Sequence, residues 1–341
     1  MPGTGERAYA YAKACGIIGK SFVGRRVAAL GRVSRLSELD RLIFPSSSRD
    51  LPEKELLKDI EKRINARAVD AIRAVLSSFK NPPEFFVRLI RSWEYQDLKN
   101  ALTALSNREN NKLLFTELGR FATINFSAWP DIEAMIRNTE FEYLLKMMNN
   151  ENIFLQTELD RHYYSSLWND LIHLGRNDRR ATEHILAEEI SLRNIVWAFR
   201  LRTYYQLQKK DVIPHLVDIE TVMHGRKISL AADALYSLDL PLDSREAYTN
   251  WKRADFLNLE NDIQYSASGW RVDPRHFQNS AARYLYRMAR HSFRARPSSL
   301  DTVFCFIKIK QFEEDALTSS AEGLGMGMAS GDVFSLLGVE A

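Results

Sequence analysis

The chain has 341 residues, of which 45% are hydrophobic and 27% charged, and its formal net charge is +3. This composition is that of an ordinary globular protein with enough apolar residues for a sizeable core, and it excludes a disordered chain. Two cysteines, Cys15 and Cys305, are too few for a disulfide framework or a four-thiolate zinc site. The small net charge does not by itself indicate binding to nucleic acid or to a membrane.

The sequence shows neither a membrane-spanning segment nor a secretory signal. The most apolar N-terminal stretch, residues 14–30, is interrupted by Lys20, Arg25 and Arg26, whereas a spanning helix needs about 18 or more consecutive apolar residues. Glu6 and Lys13 further break up the apolar core that a signal peptide would require. We therefore predict a cytoplasmic protein whose contact with a membrane, if it makes one, is peripheral.

Helical patterns dominate from the N-terminus onward. Glycine is absent between Gly31 and Gly119 and between Gly119 and Gly175, which favours helix because an interior glycine costs about 0.5–1 kcal/mol relative to alanine. Apolar residues recur every three or four positions over 56–76 and over 154–174, which predicts two long helices. Sustained alternation of period two and Asn-Gly or Asp-Gly hairpin turns are absent. The sequence therefore predicts an all-α fold of about a dozen helices.

Three predicted helices share a glutamate that is followed four residues later by a leucine. The pairs are Glu94 and Leu98, Glu188 and Leu192, and Glu313 and Leu317. Residues four apart lie on one helix face, so each carboxylate is in line with an apolar stripe. Such a carboxylate could fix helix register through an internal partner, or it could line a surface that meets another protein. The wide spacing of the pairs predicts three helical repeats, 1–110, 111–210 and 211–341.

Motifs for catalysis and for metal binding fail on inspection. Residues 14–21 end in Gly-Lys-Ser, but Ala14 occupies a position where a phosphate-binding loop needs glycine, and no strand is predicted before it. Residues 323–327 lack the last glycine of a dinucleotide fingerprint, because residue 328 is methionine. They are interpreted as a flexible connector to a short helix over 332–337. Residues 261–266 do not form the acidic cluster that binds a diphosphate through magnesium.

The histidines show no metal-binding spacing. None belongs to a Glu-x-x-His pair or to a zinc-protease motif, so we predict surface or helix-capping positions for all seven. They are His162, His173, His184, His215, His224, His276 and His291. The sequence thus predicts no catalytic residue, no cofactor, no metal and no small-molecule substrate.

One predicted helix is basic along a single face. Residues 274–300 contain no aspartate or glutamate, and arginines recur at i, i+4, i+7 and i+11 as Arg283, Arg287, Arg290 and Arg294. This face is either simply solvated or a docking site for an acidic partner or for anionic lipid headgroups. Nucleic acid is disfavoured, because the rest of the chain has no basic stripe with stacking aromatic residues.

Several short motifs resemble one known family. They are Tyr-Ala-Tyr-Ala-Lys-Ala at 9–14, Arg-Leu-Ser-Glu-Leu-Asp-Arg-Leu at 35–42, Glu-Leu-Asp-Arg-His-Tyr-Tyr at 158–164, and the helices around Glu94 and Glu188. In their order along nearly the whole chain they resemble the C subunit of V/A-type rotary ATPases, which corresponds to the d subunit of eukaryotic vacuolar ATPases. The third repeat departs from the pattern, with Ala316 and Thr318 on either side of Leu317.

The resemblance implies a funnel of three similar helical bundles and a non-catalytic place in the rotor. In that family the bottom of the funnel rests on the membrane proteolipid ring and its mouth takes the central axle, so that torque passes between ATP chemistry and proton or sodium transport. The chain would then lie on the cytoplasmic side of the membrane. Its acid-free stretch would face the ring, the lipid headgroups or acidic residues of the axle.

Two other classes of function compete with this one. A helical-repeat adaptor unrelated to rotary motors is the main alternative, although tetratricopeptide and HEAT arrays repeat every 34 to about 47 residues. The glutamate pairs here lie much further apart. A helical metal or prenyl enzyme is the third class, and it lacks the ligands that its chemistry requires.

Overall fold

The computed structural model describes residues 2–108, 113–148, 152–223, 225–257, 259, 269–297 and 299–329. It is 69% helical with a single two-stranded sheet, which confirms the all-α class. The α-helices are α1 Thr4–Ile18, α2 Leu36–Ile43, α3 Glu53–Leu76, α4 Glu84–Ile90, α5 Ser92–Ser106, α6 Ile132–Ile136, α7 Asn152–Ile172, α8 Arg176–Tyr204, α9 Lys209–Val212, α10 Ala232–Ser237, α11 Arg245–Tyr248, α12 Pro274–Ala295 and α13 Leu300–Gly325. None of these helices is both long and apolar enough to cross a membrane.

Short 3-10 segments connect many of the helices in the described part of the chain. They are Gly24–Arg32, Gly119–Phe121, Phe126–Ala128, Glu142–Met147, Ile213–His215 and Ala254–Phe256. The segment Gly24–Arg32 buries Val27 and Leu30 and joins α1 to α2. It also lies beside α12, because the backbone N–H of Gly24 donates a hydrogen bond to the Tyr286 hydroxyl over 3.0 Å.

Two of the long helices begin at residues that favour a helix start. Helix α3 starts after Pro52, with Glu53 and Glu55 in its first turn, where negative charge is favourable. Helix α12 starts with Pro274, which suits a first helical position, and the Asp273 carboxylate accepts the Arg275 backbone N–H over 2.9 Å. The helices predicted over 56–76 and 154–174 correspond to α3 and α7.

Helix α13 is the central element of the core. Its buried residues run from Leu300 to Leu324 and cover more than one face, because α3, α8 and α12 all pack against it. The largest apolar cluster joins α3, α4, α5 and α7 to the first half of α8 and of α13. A second cluster surrounds Phe199 and Phe277, and a third joins Gly24–Arg32 and α2 to Leu317. Helices α8, α12 and α13 therefore connect the clusters.

The sheet is one antiparallel hairpin that the sequence pattern did not predict. Strand β1, Glu220–Met223, pairs with β2, Arg226–Ser229, in a register that sets Met223 opposite Arg226. Its turn contains Gly225 at a φ of +76°, a conformation that glycine adopts without strain. Because β2 is mostly exposed, it carries none of the buried alternation by which a strand is usually recognised.

The prediction of a flexible connector at 323–327 is wrong for its first part, since α13 continues through Gly325. A Cβ atom on Gly325 would lie 2.9 Å from the Leu57 Cδ2 atom, so glycine here permits close packing of α13 on α3. The chain leaves the helix only afterwards, with Gly327 at a φ of +76°. The predicted helix over 332–337 lies outside the described residues.

Candidate functional site

The first of the repeated glutamates, Glu94 on α5, is buried with 1% of its surface exposed. Its carboxylate accepts the backbone N–H groups of Thr123 and Ile124, the latter over 2.9 Å, and the Thr123 hydroxyl over 2.8 Å. All three donors are uncharged, and hydrogen bonds to an ionised carboxylate are about twice as strong as neutral ones. Glu94 therefore holds the segment 121–124 against α5.

The second glutamate, Glu188 on α8, forms an ion pair with Arg253. The Arg253 Nη1 atom lies 2.7 Å from one Glu188 oxygen, and its Nε atom lies 3.0 Å from the Asp233 Oδ2 atom of α10. Burial opposes the charge of Arg253, but hydrogen bonds to Glu188 and to Asp233 raise its pKa above the ordinary value. Arg253 thus links α8, α10 and its own segment through two carboxylates.

The third glutamate, Glu313 on α13, is also 1% exposed and has a cation as its partner. It forms an ion pair with Lys310, one turn earlier, and accepts the Phe22 backbone N–H over 2.7 Å. The Arg67 Nη2 atom lies 3.4 Å away. Burial lowers the pKa of Lys310, while the Lys310 charge and these hydrogen bonds hold the pKa of Glu313 below its ordinary value despite burial.

The structure therefore gives each repeated glutamate a partner inside the fold. The leucines four residues later are buried in all three helices, as Leu98, Leu192 and Leu317. Glu94 and Glu313 have almost no exposed surface, so neither can contact another protein while these hydrogen bonds persist. Of the two interpretations of the glutamates, the geometry favours the one in which they position neighbouring segments of this chain.

The residue that follows each of these leucines is different in α13 from that in the other two helices. Lys99 on α5 and Arg193 on α8 both reach the Asp160 Oδ1 atom of α7, over 2.6 and 2.7 Å. These two cations lower the pKa of Asp160 although burial opposes the shift. The equivalent residue on α13 is the uncharged Thr318. One aspartate thus joins the first two repeated helices.

No role was predicted for Asp160 from the sequence, although it lies within the motif at 158–164. Its position between Leu159 and Tyr163 on a predicted apolar stripe is the signal that could have identified it. A lone carboxylate on such a stripe is rarely buried without a cation. The cations themselves come from other helices and are not visible locally.

A cavity of about 240 Å³ lies among α8, α12 and α13. Its wall carries charges of both signs, including Glu189, Arg193, Lys308 and Asp315. Lys308 forms an ion pair with Glu189 over 2.7 Å, whereas Asp315 is exposed. Apolar side chains, among them Trp197, Leu285 and Phe312, form the rest of the wall, so the cavity combines apolar surface with a few charged groups.

The four arginines of the predicted basic face all lie on α12, but they are not equivalent. Arg287, Arg290 and Arg294 are exposed. Arg283 is half-buried and donates a hydrogen bond to the Ser280 hydroxyl over 2.9 Å, and burial together with the Arg287 charge lowers its pKa. Among the described residues, none of the four forms an ion pair with a carboxylate. The accessible part of this face is therefore the outer three arginines.

The histidines are more varied than predicted. His215 is buried at 3% exposure, where its ring accepts or donates a 2.9 Å hydrogen bond with the Thr157 hydroxyl, so the surface assignment is wrong for it. His162 is half-buried against Tyr95. An aromatic ring packs against each of them, Tyr95 against His162 and Phe154 against His215. His224 lies outside the described residues, and in the described part of the chain no group of three or more His, Cys, Asp or Glu side chains could hold a metal ion.

Comparison with known proteins gives one family match and two relatives. The model of the ATP synthase (C/AC39) subunit family matches residues 47–333. An uncharacterized protein of Treponema pallidum (strain Nichols) is 28% identical over 324 residues, which cover 94% of this chain and 93% of that protein. The C subunit of the A-type ATP synthase of Methanosarcina mazei is 21% identical over 192 residues, or 53% of this chain and 51% of that protein.

Proposed function

Because this chain belongs to the ATP synthase (C/AC39) subunit family, we propose that it is a non-catalytic central-rotor subunit of a V/A-type ATPase or ATP synthase. In this role it is a socket: one end rests on the membrane proteolipid ring and the other receives the central axle. Rotation would then pass through it between ATP chemistry and the transport of protons or sodium ions.

The observation that carries this proposal is the extent of the family match. Residues 47–333 include every helix from α3 to α13, so the relationship concerns most of the helical core. The buried ionic contacts support the same function on physical grounds, because a part that transmits torque must resist deformation. Asp160, Glu188 and Glu313 each tie different elements together with charged hydrogen bonds in well-packed surroundings.

The finer features of the socket are part of the same proposal. We propose three helical units, 1–110, 111–210 and 211–341, arranged as a funnel, with the protein on the cytoplasmic side of the membrane. The basic face of α12, with Arg283, Arg287, Arg290 and Arg294, would meet the ring, lipid headgroups or the axle. The charged cavity beside α12 could accept polar side chains of the axle.

A pull-down from detergent-solubilised membranes tests the proposal directly. The chain would be tagged at its C-terminus, captured, and its bound proteins identified by mass. A rotor socket should bring down axle and proteolipid-ring subunits together. A helical-repeat adaptor, the alternative function, would bring down other proteins, and that result would overturn the proposed function.

A further inference from the structure

Two separate stretches of the sequence contain no acidic residue. Residues 7–37 have seven lysines and arginines, and residues 274–300 have six arginines, with no aspartate or glutamate in either. The whole chain has 47 basic and 44 acidic residues, so the remainder of the chain is net acidic. The small overall charge of +3 therefore conceals a strong separation of charge along the sequence.

The fold brings these two stretches together. The Tyr11 ring of α1 packs against the Phe293 ring of α12, with centroids 5.4 Å apart. Further along, the Gly24 N–H donates to the Tyr286 hydroxyl over 3.0 Å. Gly24 has a φ of +58°, and a Cβ atom there would lie 3.3 Å from the Arg290 guanidinium. Arg290 thus rests against the backbone of the N-terminal stretch, which glycine alone leaves uncovered.

These contacts set Arg25 and Arg26, which follow Gly24, close to Arg290, and we treat the cations of both stretches as one basic face. We define it by its exposed cations, which are Lys20, Arg25, Arg26, Arg287, Arg290 and Arg294. Within the described ranges, none of the six forms an ion pair with a carboxylate. Like charges gathered without counter-charges repel one another and lower the stability of the folded chain. An arrangement of this kind is favourable once a partner supplies negative charge.

We propose that this basic face docks onto an acidic protein surface of the rotary complex, an inference that rests on the proposed function. Arginine supplies five of the six cations, and its planar fork matches a carboxylate in bidentate geometry. A membrane surface is the weaker candidate. Among the described residues of the two stretches, Tyr9 is the only large hydrophobic side chain that is well exposed, whereas lipid-binding segments insert an apolar face.

The test uses the complex captured through the tagged chain and washed with rising concentrations of sodium chloride. The double variants R25E/R26E and R287E/R290E reverse charge on the two stretches, and K54E/K58E makes the same change at exposed lysines of α3. We expect both arginine variants to release the same partner protein at a salt concentration at least about twofold lower than the unchanged chain does. The α3 variant should behave as the unchanged chain.

The milder variants R25K/R26K and R287K/R290K keep the positive charge but lose the planar fork of arginine. They should release the partner protein at a salt concentration between those of the charge reversals and of the unchanged chain. Circular dichroism checks helix content throughout. The inference is overturned if only one stretch matters, if neither does, or if the two reversals release different proteins. It is also overturned if the unchanged chain binds vesicles of equal parts phosphatidylglycerol and phosphatidylcholine, and both reversals abolish this while the complex stays intact. An unchanged chain that captures no other protein of a rotary ATPase would instead overturn the proposed function.

Discussion

Helices α5 and α8 neutralise their buried charges differently from α13. In the first two, the base after the leucine, Lys99 or Arg193, crosses to Asp160 on a third helix. In α13 that base is replaced by Thr318, and the cation is Lys310, which lies three residues before Glu313 on the same helix. The position after the leucine thus carries an ion pair between helices in two cases and an uncharged residue in the third.

This difference changes what each charge stabilises. Asp160 joins three helices, so losing it would weaken the packing of α7 against both α5 and α8. The Lys310–Glu313 pair lies within one helix, and three further contacts connect it to the rest of the fold. Glu313 accepts the Phe22 backbone N–H and pairs with Arg67, and the Lys310 ammonium donates to the Ser21 hydroxyl over 3.2 Å. Loss of charge should therefore be most costly at Asp160, because its two cations come from two different helices, α5 and α8.

Replacement of Asp160 by alanine is the strongest test of this comparison. Lys99 would remain buried without its counter-charge, whereas Arg193, whose side chain is 36% exposed, would keep the charge of Glu189 nearby. Removing one partner of a buried pair costs about 3–5 kcal/mol. We expect the free energy of unfolding in urea to fall by at least that amount. The control is D70A, which removes an ion pair with Arg73 whose aspartate side chain is 70% exposed and should change stability by about 0.5 kcal/mol or less. Similar losses in the two variants would contradict the proposed role of Asp160.

The two fully buried glutamates should differ when each is changed to glutamine. E313Q leaves the ammonium of Lys310 buried without its anion, for which we expect a loss of about 3 kcal/mol. E94Q removes no counter-charge and leaves one or two hydrogen bonds weakened, for which we expect about 1–2 kcal/mol. Urea unfolding of both variants measures the difference.

The double variant K310M/E313Q sharpens the same comparison. Because methionine removes the stranded charge while filling similar space, it should be more stable than E313Q alone. A K310M/E313Q variant that is less stable than both E313Q and K310M would show that Lys310 has a further role. A larger loss of stability for E94Q than for E313Q would contradict the expected difference between the two glutamates.

The sequence predicted the helices and the repeated glutamates because both depend on spacing within one helix. Apolar residues at intervals of three or four indicated α3 and α7, and an interval of four placed each glutamate beside its leucine. Apart from Lys310, which lies three residues before Glu313, the partners could not be found in this way. Thr123 lies 29 residues from Glu94, Arg253 lies 65 from Glu188, and Phe22 lies 291 from Glu313. The joined basic stretches escaped prediction for the same reason, since their adjacency exists only in the folded chain.

The residues that follow the second and third repeated glutamates, Glu189 and Glu314, should differ in how they make stability depend on pH. Glu189 on α8 is paired with Lys308. Glu314 on α13 instead accepts hydrogen bonds from the Trp93 indole over 3.1 Å and the Asn65 amide over 3.2 Å. Burial, together with the neighbouring charge of Asp315, raises the pKa of Glu314 to about 8 from an ordinary value of 4.5. Near neutral pH, Glu314 is therefore protonated in the folded chain.

A raised pKa of this kind makes stability fall as pH rises. Between 4.5 and about 8 the folded state holds a proton on Glu314 that the unfolded state has lost, so the free energy of unfolding decreases across this range. The slope from one such group is at most about 1.4 kcal/mol per pH unit. E314Q, which keeps a neutral side chain of the same shape, should lose this part of the slope.

Urea unfolding above about pH 6.5 separates this contribution from those of Asp97, His162 and His215, which titrate lower. Burial raises the pKa of Asp97 to about 6, and it lowers the pKa of His162 and His215 from 6.5. E189Q is the matched change on α8 and should leave the slope in this range as it is, because Glu189 is paired with Lys308. If E314Q and the unchanged chain have equal slopes there, Glu314 is ionised in the folded state, and the contrast between α8 and α13 does not extend to this position.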